Sequence, residues 1–179
     1  MNYLYHRVPK NMEGDILHPL NMMKDISPEL FRRNMDKYAS RKEVTEQKIP
    51  GLDCLWNDVI HFSPVNPVEV KKALVESGYT TEFNFTCYEI DPHLLDRNNT
   101  IVFLHKSEYT KDKMNPKNFA AFDPDDIAKY SVVPQFTIEY YKEKVAAGRD
   151  PLLYHGIVHI LYKGTLNVKG LKLIDGNGE

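Results

Sequence analysis

Thr81-Glu82-Phe83-Asn84-Phe85-Thr86-Cys87 is the stretch that decides the fold class. Phe83, Phe85 and Cys87 alternate with Glu82, Asn84 and Thr86, and a period of two marks a strand with one buried and one wet face. Ile101-Val102-Phe103-Leu104 is short and wholly apolar, and follows the turn-forming Asp96-Arg97-Asn98-Asn99. The two are expected to be antiparallel neighbours. Tyr3 to Val8, closed by Pro9, reads as an opening strand, in which Tyr3, Tyr5 and Arg7 face one way and Leu4, His6 and Val8 the other. Val59 to Ser63, Gly156 to Tyr162 and Leu171 to Ile174 have the same character, for a total of about six strands.

Elsewhere the period shifts to three and four. Ser27 stands as an N-cap before Pro28 and Glu29, and Leu30, Phe31, Met35 and Tyr38 make an apolar stripe; a solvated segment, 40 to 48, follows. Asn66-Pro67-Val68-Glu69 repeats that start more strongly, with Val70, Ala73 and Leu74 buried and Gly78 ending the helix. Asp123-Pro124-Asp125-Asp126 opens a shorter one. Another helix is expected from Thr137 to Ala147, with Ile138, Tyr141 and Val145 inward and Gly148 behind it. About four helices beside a mostly antiparallel sheet make an α+β fold. With no internal repeat or composition break in 179 residues, a single globular domain, 1–179, is expected.

A 42% hydrophobic share is ordinary for a globular chain, and the net charge of −2 comes from scattered residues. Scattered cations argue against duplex nucleic acid as a partner, because phosphate neutralisation needs a basic stripe. No stretch approaches the roughly 20 apolar residues of a membrane span, and the N-terminus lacks a signal peptide's charged start and apolar run. Only two cysteines occur, Cys54 and Cys87, both among apolar neighbours. They read as buried free thiols, and a reducing, cytoplasmic location is expected.

Seven histidines raise the question of a metal. His155 and His159 have the spacing of a helical zinc pair, but their setting is a strand. Four residues of strand separate two Cα atoms by about 13 Å, too far for zinc–nitrogen bonds of about 2 Å. No metal is assigned, and no HExxH, GxGxxG, P-loop or GxSxG motif is present.

The segment from Trp56 to Pro67 has the richest chemistry. Trp56 can stack a ring, His61 and Ser63 face the same side of a strand, and Asn66 opens a helix whose N–H groups favour anions. A strand end followed by a capped helix explains the same residues structurally. A competing class is a non-catalytic protein-binding domain using a tyrosine surface of Tyr3, Tyr5, Tyr130, Tyr140 and Tyr141.

Leu4-Tyr5-His6-Arg7 on a first strand, then Ile60-His61-Phe62-Ser63 on a later strand ahead of a helix, resembles the ADP-ribosyltransferase superfamily in the order of its parts. The resemblance covers about a third of the chain. It implies NAD or a related nucleotide as co-substrate. His6 or Arg7 would hold the nicotinamide ribose and Ser63 would line the nicotinamide pocket. Tyr5, Trp56, His61 and Asn66 would complete the site, and Glu89 or Glu139 would polarise the ribose. The small residues that usually follow the first-strand histidine are replaced here by Arg7-Val8-Pro9.

Overall fold

The computed structural model describes residues 2–10, 12–36, 45–81, 83–106 and 112–177. Among them the strands are β1 (Leu4–Arg7), β2 (Ile16–Leu17), β3 (Lys48–Ile49), β4 (Cys54–Leu55), β5 (Ile60–Phe62), β6 (Thr86–Ile90), β7 (Thr100–Phe103), β8 (Phe119–Ala121), β9 (His159–Tyr162), β10 (Leu166–Asn167) and β11 (Leu173–Asp175). All are paired antiparallel. The α+β class and the antiparallel sheet hold, but the strands are more numerous and shorter than the sequence pattern suggests.

Two sheets organise the molecule. One has three strands in the order β1-β6-β11, and the other has four in the order β5-β9-β7-β8. A reciprocal backbone pair joins them, Tyr5 N–H to Ser63 O at 2.7 Å and Ser63 N–H to Tyr5 O at 2.9 Å. The next bond in register would run from Arg7 N–H to His61 O. That carbonyl instead accepts from His6 Nδ1 at 2.8 Å. A histidine side chain therefore stands where the ladder would continue, and Pro64, with no N–H, follows Ser63.

The expected pairing of Thr81–Cys87 with Ile101–Leu104 is incorrect. Strand pairing begins only at Thr86 and runs to Ile90, and β6 lies between β1 and β11, while β7 lies between β9 and β8. Two 3-10 turns, Pro92–Leu94 and Arg97–Asn99, carry the chain from one sheet to the other. Local turn chemistry was legible in Asp96-Arg97-Asn98-Asn99, but the turn's destination was not.

Helices α1 (Met23–Ile26) and α2 (Pro28–Met35) lie on the surface. Ser27 precedes α2, yet its side chain makes no cap hydrogen bond, and no residue of the helix is fully buried. Leu30, Phe31 and Met35 form only a half-buried stripe; Tyr38 and residues 40–44 of the solvated segment lie outside the described residues, as does Glu82. Helix α3 (Pro67–Glu76) is as expected: the Asn66 side chain accepts from Val68 N–H at 2.9 Å, Val70, Ala73 and Leu74 are buried, and Gly78 at φ +93° turns the chain away. Asp123 caps a 3-10 helix, Pro124–Tyr130. Helix α4 (Gln135–Ala146) buries Tyr141 fully and ends before Gly148 at φ +65°.

The cores lie on the two faces of the sheets. Leu4, Ile60, Phe62, Ile90, Val102 and Ile160 share one face. On the other, Phe103 and Leu161 pack with Ile49, Leu52 and Val59, while Tyr5, Phe85, Cys87 and Ile174 form a neighbouring cluster. Ala73 and Leu74 of α3 meet Tyr141 of α4, whose hydroxyl donates to the carbonyl of Leu153. Cys54 and Cys87 are free, buried and in different clusters. No helix among the described residues is long and apolar enough to cross a membrane.

Candidate functional site

The join between β1 and β5 gathers most of the residues the sequence singled out. Tyr5 and Ser63 are the backbone pair itself, and the Asn66 amide donates to the Tyr5 hydroxyl at 3.2 Å. On the opposite face, the His6 ring meets Phe62 edge-on at 5.6 Å. His61 packs its ring against Trp56 at 4.7 Å and donates from Nε2 to the Trp56 carbonyl at 3.2 Å. Ser63 Oγ accepts from Val65 N–H at 3.1 Å, and Asn66 Oδ1 is occupied by Val68 N–H, so both also serve as local caps.

Three of the named residues are engaged elsewhere. Arg7 is exposed over the Phe85 ring at 5.8 Å, in a shallow groove of about 340 Å³ shared with Lys10, Asn84 and Thr86. Glu89 lies beside Tyr5 on β6, where Lys172 pairs with it at 3.2 Å. Glu139 is exposed on α4 and accepts from Gln135. The tyrosine surface is corrected as well: Tyr5 is 7% exposed and Tyr141 fully buried, so neither can present itself to a partner, while Tyr3, Tyr130 and Tyr140 are half-buried.

Register brings in residues that the sequence did not assign to this site. Phe103 faces His159 across β7 and β9, and His61 faces Leu161 across β5 and β9, so His61 and His159 share a sheet face as diagonal neighbours. Their rings are 6.1 Å apart and perpendicular. His105, two residues past Phe103, adopts φ +53° and brings Nε2 to 3.2 Å from His159 Nδ1. Left-handed backbone at a non-glycine residue is strained and concentrates at working sites. The Tyr154 ring stands 6.5 Å from His159, with its hydroxyl 3.9 Å from Cys87 Sγ. His155 turns away to stack on Tyr140 at 3.8 Å, so it and His159 have different surroundings. Among the described residues no three His, Cys, Asp or Glu side chains are arranged to hold a metal ion.

Burial governs the charge of this row. It lowers His61 to about 3, helped by repulsion from His159, and lowers His159 to about 4. His105 falls to about 2, through burial and then the neighbouring His159 and Lys113. His6 is also lowered by burial, against the opposing pull of its bond to the His61 carbonyl. Tyr5 is pushed up to about 12, by burial and then by Glu89. At neutral pH the site therefore presents uncharged imidazoles and a protonated phenol. Such groups exchange protons and hydrogen-bond a polar ligand without attracting it by charge.

The fold and site together describe an antiparallel α+β protein with a split sheet and a row of neutral histidines beside the split. No protein-family model matches the chain, and neither does any curated protein or solved structure.

Proposed function

We propose that the junction of β1 and β5 is a nucleotide pocket and that the protein is ADP-ribosyltransferase-like, taking NAD as co-substrate. One observation carries the reading. Tyr5 and His6 meet His61 and Ser63, more than fifty residues further along the chain, at the backbone pair that links the two sheets. In this reading Trp56 and His61 offer ring faces to nicotinamide, and His6, on the opposite face, fixes the join by donating to the His61 carbonyl. Arg7 and Lys10 supply positive charge for the pyrophosphate from the adjoining groove. Glu89 is tied to Lys172, so the binding step has more residues in support than the transfer step.

The test is a thermal titration with NAD to tens of millimolar, together with an assay for released nicotinamide. A ligand at a hundred times its Kd adds about 2.7 kcal/mol to stability. For this chain length that raises Tm by roughly 5 to 10 °C. Trp56→Leu should remove most of the shift while the protein stays folded. Ser63 is too enclosed for a bulky blocking residue. No shift and no nicotinamide release would overturn the reading and leave the protein-binding class, with Tyr3, Tyr130 and Tyr140 as its half-buried contacts.

A further inference from the structure

Carbonyl oxygens only accept hydrogen bonds, so each imidazole that touches one has its tautomer set. His61 donates from Nε2 to Trp56 O, which leaves its lone pair on Nδ1. His159 donates from Nδ1 to Ile157 O at 2.7 Å, which leaves its lone pair on Nε2. His105 Nε2 approaches that same Nδ1 at 3.2 Å. Two N–H bonds cannot face each other there, so His105 carries its proton on Nδ1 and accepts with Nε2. His159 is thus held on one nitrogen from two sides, and its other nitrogen has no hydrogen-bond partner among the described residues. The rings around it are His61, His105 and Tyr154, and no described carboxylate pairs with it.

From this arrangement we infer that His159 Nε2 is the proton acceptor in the transfer step, an inference that rests on the NAD reading above. The bond between ribose C1′ and the nicotinamide nitrogen breaks, and its electron pair leaves with nicotinamide. The oxygen of water, or of an acceptor hydroxyl, forms the new bond to C1′, and its proton passes to Nε2. A transferase that works through a glutamate would need that carboxylate at the junction. Here Glu89 is held by Lys172, and the unprotonated base within reach of His61 is an imidazole. Burial keeps that imidazole uncharged at neutral pH, as the role requires.

His159→Asn keeps an N–H where Nδ1 donates to Ile157 and removes the accepting nitrogen. NAD binding is read from the fluorescence of Trp56, the single tryptophan, and turnover from nicotinamide release. The variant is expected to bind NAD within about threefold of the wild type and to release nicotinamide about a hundredfold more slowly, the scale of general base catalysis. Added imidazole is expected to restore about tenfold of that loss, which a merely structural role would not allow. A variant that turns over at the wild-type rate overturns the assignment and leaves the NAD reading intact; a wild-type protein that neither binds nor cleaves NAD overturns both. Should His159→Asn fail to fold, nitrogen-15 spectra of the wild-type imidazoles decide the matter. A proton on His159 Nε2 at neutral pH would overturn the inference.

Discussion

Two groups of histidine in this molecule have opposite electrostatics. His61, His105 and His159 lie in a half-buried row, bonded to carbonyls or to one another, and burial holds them below the ordinary imidazole range. His93 lies exposed between Asp91 at 2.9 Å and Asp125 at 3.1 Å, and the bonds to those carboxylates raise it. Arg97 joins the same surface network through Asp123 and Asp125. The partner that each ring meets thus decides whether it is a neutral acceptor or a cation. The first environment suits proton transfer, while the second is a screened surface network with little effect on stability.

The largest expected effect of this contrast is acid sensitivity. In the unfolded chain these imidazoles take up protons as pH falls through about 6.5, whereas in the folded chain they resist until about 4, 3 and 2. The unfolded state binds more protons across that window, so stability is full above pH 6.5 and is lost as pH falls. At pH 5 one such ring costs up to about 2 kcal/mol, a large share of the stability of a domain of this kind. A marked loss of stability between pH 6.5 and pH 5, followed by Trp56 fluorescence, is the expected result. A protein still folded with unchanged stability at pH 4.5 would break the contrast.

His61→Leu sharpens it. Loss of the Nε2 donor leaves the Trp56 carbonyl unsatisfied, and chemical denaturation at pH 7.5 should register about 1 to 3 kcal/mol. The deficit should shrink at pH 5.5, because the variant has one fewer buried base to protonate. An equal deficit at both pH values would assign acid sensitivity elsewhere.

The thiols test whether burial alone favours the neutral form. Cys87 is pushed up to about 11 and Cys54 is raised, both chiefly by burial. A disulfide reagent at pH 8 should modify neither until denaturant is added, and a reductant should leave Tm unchanged. Prompt labelling of the native protein would show these cores to be open. The smallest effect belongs to His93→Ala, which should leave Tm nearly unchanged. Because the folded pKa of His93 is raised, whatever it contributes is present below pH 6.5 and disappears as pH rises, the reverse of the buried row. A deficit that grew with pH would contradict that sign.

The sequence alone determined the local elements. Side-chain alternation placed β1, short strand-type runs placed β5 and β7, and Asn66-Pro67 and Gly78 bounded α3, because strand period, capping and left-handed turns depend on residues a few positions apart. It also singled out His61 and Ser63 by the content of the Trp56–Pro67 segment, and His6 by a family resemblance. Tertiary structure alone decided that β6 and β7 belong to different sheets, and that the α2 stripe is only half-buried. It alone brought His105 and His159 to His61. Phe103 opposite His159 is a matter of register between segments more than fifty residues apart. Register follows from how whole faces bury against one another, so no local pattern of residues encodes it.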